Sequence, residues 1–159
     1  MFSNKEHRDQ LVQHLEGGAA YGSLESFLDA IPFEKIGQRP CDLPYSFYEI
    51  FFHMAFAQKD ILEYSVSSDY KASNWPEDYW PSAPEPPGEE AWEDLKSDYF
   101  EDRRLLKEFI LDEKNDLSKP VINSQKHSLF REILLVVEHT AYHTGQLLII
   151  QRLLGVYDN

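Results

Sequence analysis

Between Phe47 and Tyr64, apolar side chains return at three- and four-residue steps through Ile50, Phe51, Met54, Ala57 and Ile61. That is the period of a helix with one buried face, and the spacing predicts a helix over 46–66. A second stripe runs from Ile133 through Val136, His139, His143, Leu147 and Ile150 to Leu154. Ser128 is its N-cap, and Gly155 stands in the position just past a helix end that favours glycine. A third helix is predicted over 89–110, with Trp92, Leu95, Tyr99, Leu106 and Phe109 facing the core. Its EEAWED opening puts acid at the positive end of the helix dipole. The N-terminal pattern is weaker. Ser3 and Glu6 form a capping box, and Leu11 and Leu15 follow on one side. Gly17, Gly18 and Gly22 interrupt the run, because a mid-helix glycine costs about 1 kcal/mol relative to alanine. Ser23 then caps a further helical stretch with Leu24, Phe27, Leu28 and Ile31.

Between these stripes the pattern dissolves. Residues 37–44 (GQRPCDLP) and 112–124 read as loops, and 67–88 carries Asn-Trp-Pro, Tyr-Trp-Pro and PSAPEPPG without any period. A non-repetitive connection of about 20 residues is unusual in a small domain. It is long enough to run the length of a bundle, which permits its two flanking helices to be parallel neighbours. Trp75, Tyr79 and Trp80 are expected to pin it down as a strap. No strand pair and no internal repeat is visible, so the expected class is all-α.

Composition narrows the function. The chain has 159 residues and a formal charge of −13, from 15 Lys plus Arg against 28 Asp plus Glu. A surface that negative repels phosphate backbones, so no nucleic-acid partner is expected. Cys41 is the single cysteine, which leaves no intrachain disulfide and no CxxC site. The opening MFSNKEHRDQ lacks the apolar segment of a signal peptide, and no apolar run approaches the roughly 18–20 residues of a membrane span. A cytoplasmic protein without a membrane partner is expected.

The chemistry concentrates in EHTAYHTGQLLIIQRLLG (138–155). His139 and His143, four residues apart, lie about 40° from each other around a helix, one turn apart. That spacing lets two imidazoles converge on one ion. Both fall inside the apolar stripe, where a polar ring costs several kcal/mol unless it finds a partner. A pair of core histidines satisfied by hydrogen bonds explains the spacing as well. His53, in the stripe of the 46–66 helix beside small Ala57, adds a third imidazole on a second core face. Three such histidines make an open three-nitrogen site suited to zinc, nickel, cobalt or ferrous iron. Thr140 stands where the H-E-x-x-H of a zinc protease has its general base, so that chemistry is disfavoured.

Three segments, LPYSFYEIFFHMAFAQKDILEY (43–64), WPEDYWP (75–81) and LLVVEHTAYHTGQLLIIQRLLG (134–155), resemble the DinB/YfiT-like superfamily of metal-binding four-helix bundles. The resemblance runs from the first helix to the C-terminus. It implies one DinB-like domain over 1–159, an up-down-down-up four-helix bundle with the crossover between helices 2 and 3, and one divalent metal ion held by His53, His139 and His143. It also implies a metal-dependent enzyme, either a transferase using a low-molecular-weight thiol or a hydrolase acting on a small-molecule substrate, in a chain that can form a homodimer. A non-catalytic metal-binding bundle in stress response or assembly is the alternative.

No general base is evident from the sequence. Gln146 and Tyr142 flank the histidines, and Asp60 lies two turns from His53. They are the catalytic candidates. Gln146 equally serves as a helix-stabilising contact, and Asp60 as an ion-pair partner of Arg152. Glu138 also flanks the site. His7, His14 and His127 lack any spacing to the three and are expected on the surface.

Overall fold

The computed structural model describes residues 5–17 and 20–157, so Ser3 of the expected capping box and Gly18 lie outside it. The described chain is helical: α1 (Lys5–Glu16), α2 (Leu24–Ala30), α3 (Phe47–Val66), α4 (Glu89–Leu111) and α5 (Leu129–Leu153). Short 3-10 turns over Phe33–Lys35, Pro40–Asp42 and Glu77–Tyr79 punctuate the connections. The described residues form no strand, only one isolated bridge between Pro120 and Ser128.

Local chemistry sets the ends. Gly17 terminates α1 in the left-handed region at φ +77°, and Gly155 follows α5 at φ +66°. Ser23 and Ser128 accept hydrogen bonds from the third backbone N–H of their helices, as their sequence contexts predict. α3 starts on a full capping box: the Ser46 hydroxyl accepts from the Glu49 N–H and the Glu49 carboxylate accepts from the Ser46 N–H. Each helix end so capped gains about 1 kcal/mol.

α3 packs against both α4 and α5, and α1 packs against the same two. Along α3 and α4, Phe51 meets Trp92 at 5.3 Å between ring centres, and Gln58 donates to the Tyr99 carbonyl at 2.8 Å. Arg8 and Arg103 tie α1 to α4 through the Ile110 and Leu15 carbonyls. The apolar interior falls into two clusters. One gathers Phe47, Phe51, Met54, Trp92, Leu147 and Ile150; the other gathers Leu15, Leu62, Leu106, Ile110 and Ile133. Buried polar side chains lie on the turns between them: His53, Gln58, Arg103, Thr140 and His143.

Residues 67–88 form a strap held at named points. The Tyr79 hydroxyl donates to Asp60, the Pro84 carbonyl accepts from the Ser46 hydroxyl, and Trp80 stacks on Tyr45 at 4.3 Å. Gly37 lets the strap close in, because a Cβ there would lie 2.6 Å from the Glu85 Cβ. Tyr79 and Trp80 therefore anchor it as expected. Trp75 does not share that role equally: it is 67% exposed, meeting Tyr79 edge-on at 5.1 Å and His53 at 6.1 Å between ring centres.

α5 departs from the sequence reading in one respect. It is long and apolar enough to cross a membrane by length and composition. Ile133, Val136, Leu147 and Ile150 are nonetheless buried, as expected of a core helix whose apolar face meets other helices.

Candidate metal centre

His53 comes from the middle of α3 and is 4% exposed; His143, on α5, is 7% exposed, and His139 is half-buried one turn before it. The three offer one ring nitrogen each within 4.8 Å of one another. The Nε2 atoms of His53 and His139 are 3.0 Å apart, and the ring centres of His139 and His143 are 4.4 Å apart.

Which nitrogens carry protons follows from the partners. His53 Nδ1 lies 3.3 Å from the Tyr79 carbonyl, which only accepts, so Nδ1 is the protonated nitrogen. His143 Nδ1 lies 2.6 Å from the Gln146 side-chain oxygen and donates in the same way. Both rings are thus set with an unprotonated Nε2, the tautomer in which metal-ligating histidines are usually held. Burial lowers the pKa of all three, His53 to about 4 and His139 to about 3; the neighbouring His143 lowers both further. Neutral imidazole is the form a metal ligand needs.

This donor set fits a divalent cation. Two nitrogens about 2.0–2.1 Å from one zinc at the tetrahedral angle lie about 3.3 Å apart, close to the separation found. Three ligands leave further positions open.

The surroundings bear on two sequence expectations. Asp60 accepts from Tyr79 at 2.7 Å and from Tyr70 at 3.0 Å. Since the Tyr79 carbonyl holds His53, Asp60 reaches the site only through the strap. Gln146 does more than stabilise its helix: its oxygen holds His143. Tyr142 is 65% exposed and meets His143 edge-on at 4.8 Å. Glu138 is exposed, as are His7, His14 and His127, with His127 meeting the Tyr64 hydroxyl at 3.1 Å. Arg152 lies over Tyr157.

Two contributors were not read from sequence as part of the site. The Tyr79 carbonyl is backbone, and its position depends on the path of the strap. Trp80 stacks flat on His53, 4.2 Å between centres and 4° between planes. The clustered aromatics of WPEDYWP signalled an anchor, without revealing that a histidine lies beneath it.

No curated protein and no solved structure matches the chain. The sequence model of the DinB superfamily matches residues 18–147, which include α2, α3, α4 and all three histidines. The chain belongs to the DinB superfamily.

Proposed function

We propose that the protein is a metal-dependent enzyme whose single divalent ion, zinc or nickel before iron or cobalt, is held by His53, His139 and His143. The observation that carries this is the pair of carbonyl-held Nδ1 atoms, which turns unprotonated nitrogens on two helices toward one point. A bound ion supplies Lewis-acid polarisation to whatever enters its open positions. The chain's residues orient and exclude: Gln146 and the Tyr79 carbonyl fix two rings, and Trp80 shields His53 from water on one face.

Between the two reaction classes, we favour transfer of a low-molecular-weight thiol over hydrolysis. Among the described residues, Asp60 is engaged by two tyrosine hydroxyls, and Gln146 is an amide with no basic nitrogen, so neither supplies a free base. A thiol, with a pKa of about 8.5, needs less help to ionise than water does.

We also read the helices as an up-down-down-up bundle, with α1, α3, α4 and α5 as its four members. Successive partners favour it: Phe51 with Trp92 and Gln58 with Tyr99 advance in the same direction along α3 and α4. Arg8 with Ile110 and Leu15 with Arg103 run in opposite directions along α1 and α4.

Elemental analysis of untagged protein tests the centre. Wild type is expected to carry about one ion per chain, and His143→Ala to lose most of it. Equal, near-zero metal in both after growth in supplemented medium would remove the centre and the enzymatic reading with it.

A further inference from the structure

Beside the histidines lies an apolar cavity of about 380 Å³, walled by Leu43, Tyr45, Ile50, Tyr142, Ile149 and Ile150. No histidine lines it, but it borders the centre through residues that touch His143. Gln146, which holds His143, lines it, and so does Tyr142, which touches the same ring. On the strap side, Tyr45 stacks on Trp80, which stacks on His53.

Gly145 forms part of this wall. It lies in the interior of α5, where glycine weakens a helix by about 1 kcal/mol relative to alanine. Three reasons commonly justify such a glycine: a positive φ, a crossing backbone, or space for something else. The first two are absent here. Gly145 has no left-handed φ, and a Cβ built on it meets nothing within 4 Å. What its missing side chain provides is open volume over the cavity, two residues along α5 from His143.

The lining also limits the ligand. No Asp, Glu, Lys or Arg contributes to it, and Gln146 is the one side chain with an amide. The chain's charge of −13 repels anions, and no cation in the wall offsets that. Apolar pockets with one or two polar groups select uncharged, mainly hydrophobic ligands. Two tyrosine rings in the wall suit a flat partner.

We propose that this cavity is a binding subsite for an uncharged aromatic group, kept open by Gly145, and that it seats the apolar part of the substrate beside the metal centre. The role in substrate binding rests on the enzymatic reading above. The ligand class rests on the cavity alone. A charged, polar thiol is unsuited to this wall, so the subsite belongs to the electrophile that the thiol would attack.

The test uses the neutral dye N-phenyl-1-naphthylamine, whose emission rises in apolar surroundings, with the full chain at neutral pH. Wild type is expected to bind it saturably. Neutral 2-naphthol should displace it, and 2-naphthoate, matched in size but anionic, should compete about tenfold less well. Gly145→Leu, which fills the opening from a helix-favouring residue, should weaken dye binding about tenfold or more. Ile149→Asp, at a half-exposed position that tolerates a charge, should do the same and guards against a folding artefact in the first variant. Zinc uptake should be unchanged in both. Equal dye affinity in wild type and both variants, naphthoate competing as well as naphthol, or no binding by wild type because a second copy covers this face would each overturn the subsite. Failure of wild type to take up zinc while still binding the dye would count against the metal centre and leave the subsite standing.

Discussion

Two buried polar groups lie close together in the bundle, and the chain satisfies them by different means. Arg103 on α4 donates to Gln58 Oε1 at 2.6 Å and Thr140 Oγ1 at 3.2 Å, and also to the Leu15 carbonyl and the Tyr99 hydroxyl. These partners come from four helices, so the guanidinium is a cross-brace between the two apolar clusters. Next to it, His53 and His139 bring two ring nitrogens within 3.0 Å of each other. His53 has its proton on the far side, so the facing nitrogen is a bare lone pair. The brace is closed by a fixed charge of the chain, whereas the neutral histidine group could exchange the proton shared between the His139 and His53 Nε2 atoms for a cation. Buried polarity alone does not mark a functional site; what sets this one apart is three ring nitrogens brought within 4.8 Å of one another.

The comparison is broken most severely at the brace. Arg103→Met should strand the Gln58 oxygen and the Leu15 carbonyl in the interior, at about 1–3 kcal/mol each. We expect a loss of about 3 kcal/mol or more in urea denaturation, the same with and without zinc. A loss that disappears when zinc is added would mean that the two groups form one unit.

Acid should act on the histidines and spare the brace. In the unfolded chain these imidazoles take up protons near pH 6.5, while folded His53 waits until about 4 and His139 until about 3. Over that window the unfolded state binds more protons, so metal-free stability falls as pH drops below about 6.5, the loss being complete only below about 3. Added zinc should raise Tm at neutral pH, and the gain should shrink near pH 5, because protons compete for the same nitrogens. The double variant His53→Leu, His139→Leu should show a flatter pH dependence than wild type. Parallel curves would assign the acid sensitivity to other groups.

Gln146 gives the smallest of these effects and the sharpest distinction. Gln146→Leu keeps the size of the side chain and removes the acceptor for His143 Nδ1. Loss of such an outer partner weakens metal binding about 10–100-fold, and zinc titration should show this with little change in apo stability. Unchanged zinc affinity would mean that His143 is oriented by packing alone.

Much of this was legible in the sequence. The long helices were readable because their buried stripes hold period over many turns, and His53, His139 and His143 could be picked out as polar residues inside those stripes. The same method hid Arg103 and Gln58: a periodicity argument sends charged and amide side chains outward, and only the packing of α1 against α4 reveals their partners. The Ser46 capping box is written in the sequence as S-x-x-E, at the head of the apolar stripe of α3. The partners of Asp60 could not be read from α3 alone, because the two tyrosines arrive on the strap from 10 and 19 residues away. A backbone carbonyl as the His53 orienter has no sequence signature at all.

The flat stack of Trp80 on His53 also has a photophysical consequence. An indole stacked on His53 would be within quenching range of an ion bound by that ring. Open-shell nickel or cobalt would darken its emission, while closed-shell zinc would leave it bright. The strap therefore carries an intrinsic chromophore that would tell an open-shell ion at the centre from a closed-shell one, with no label attached.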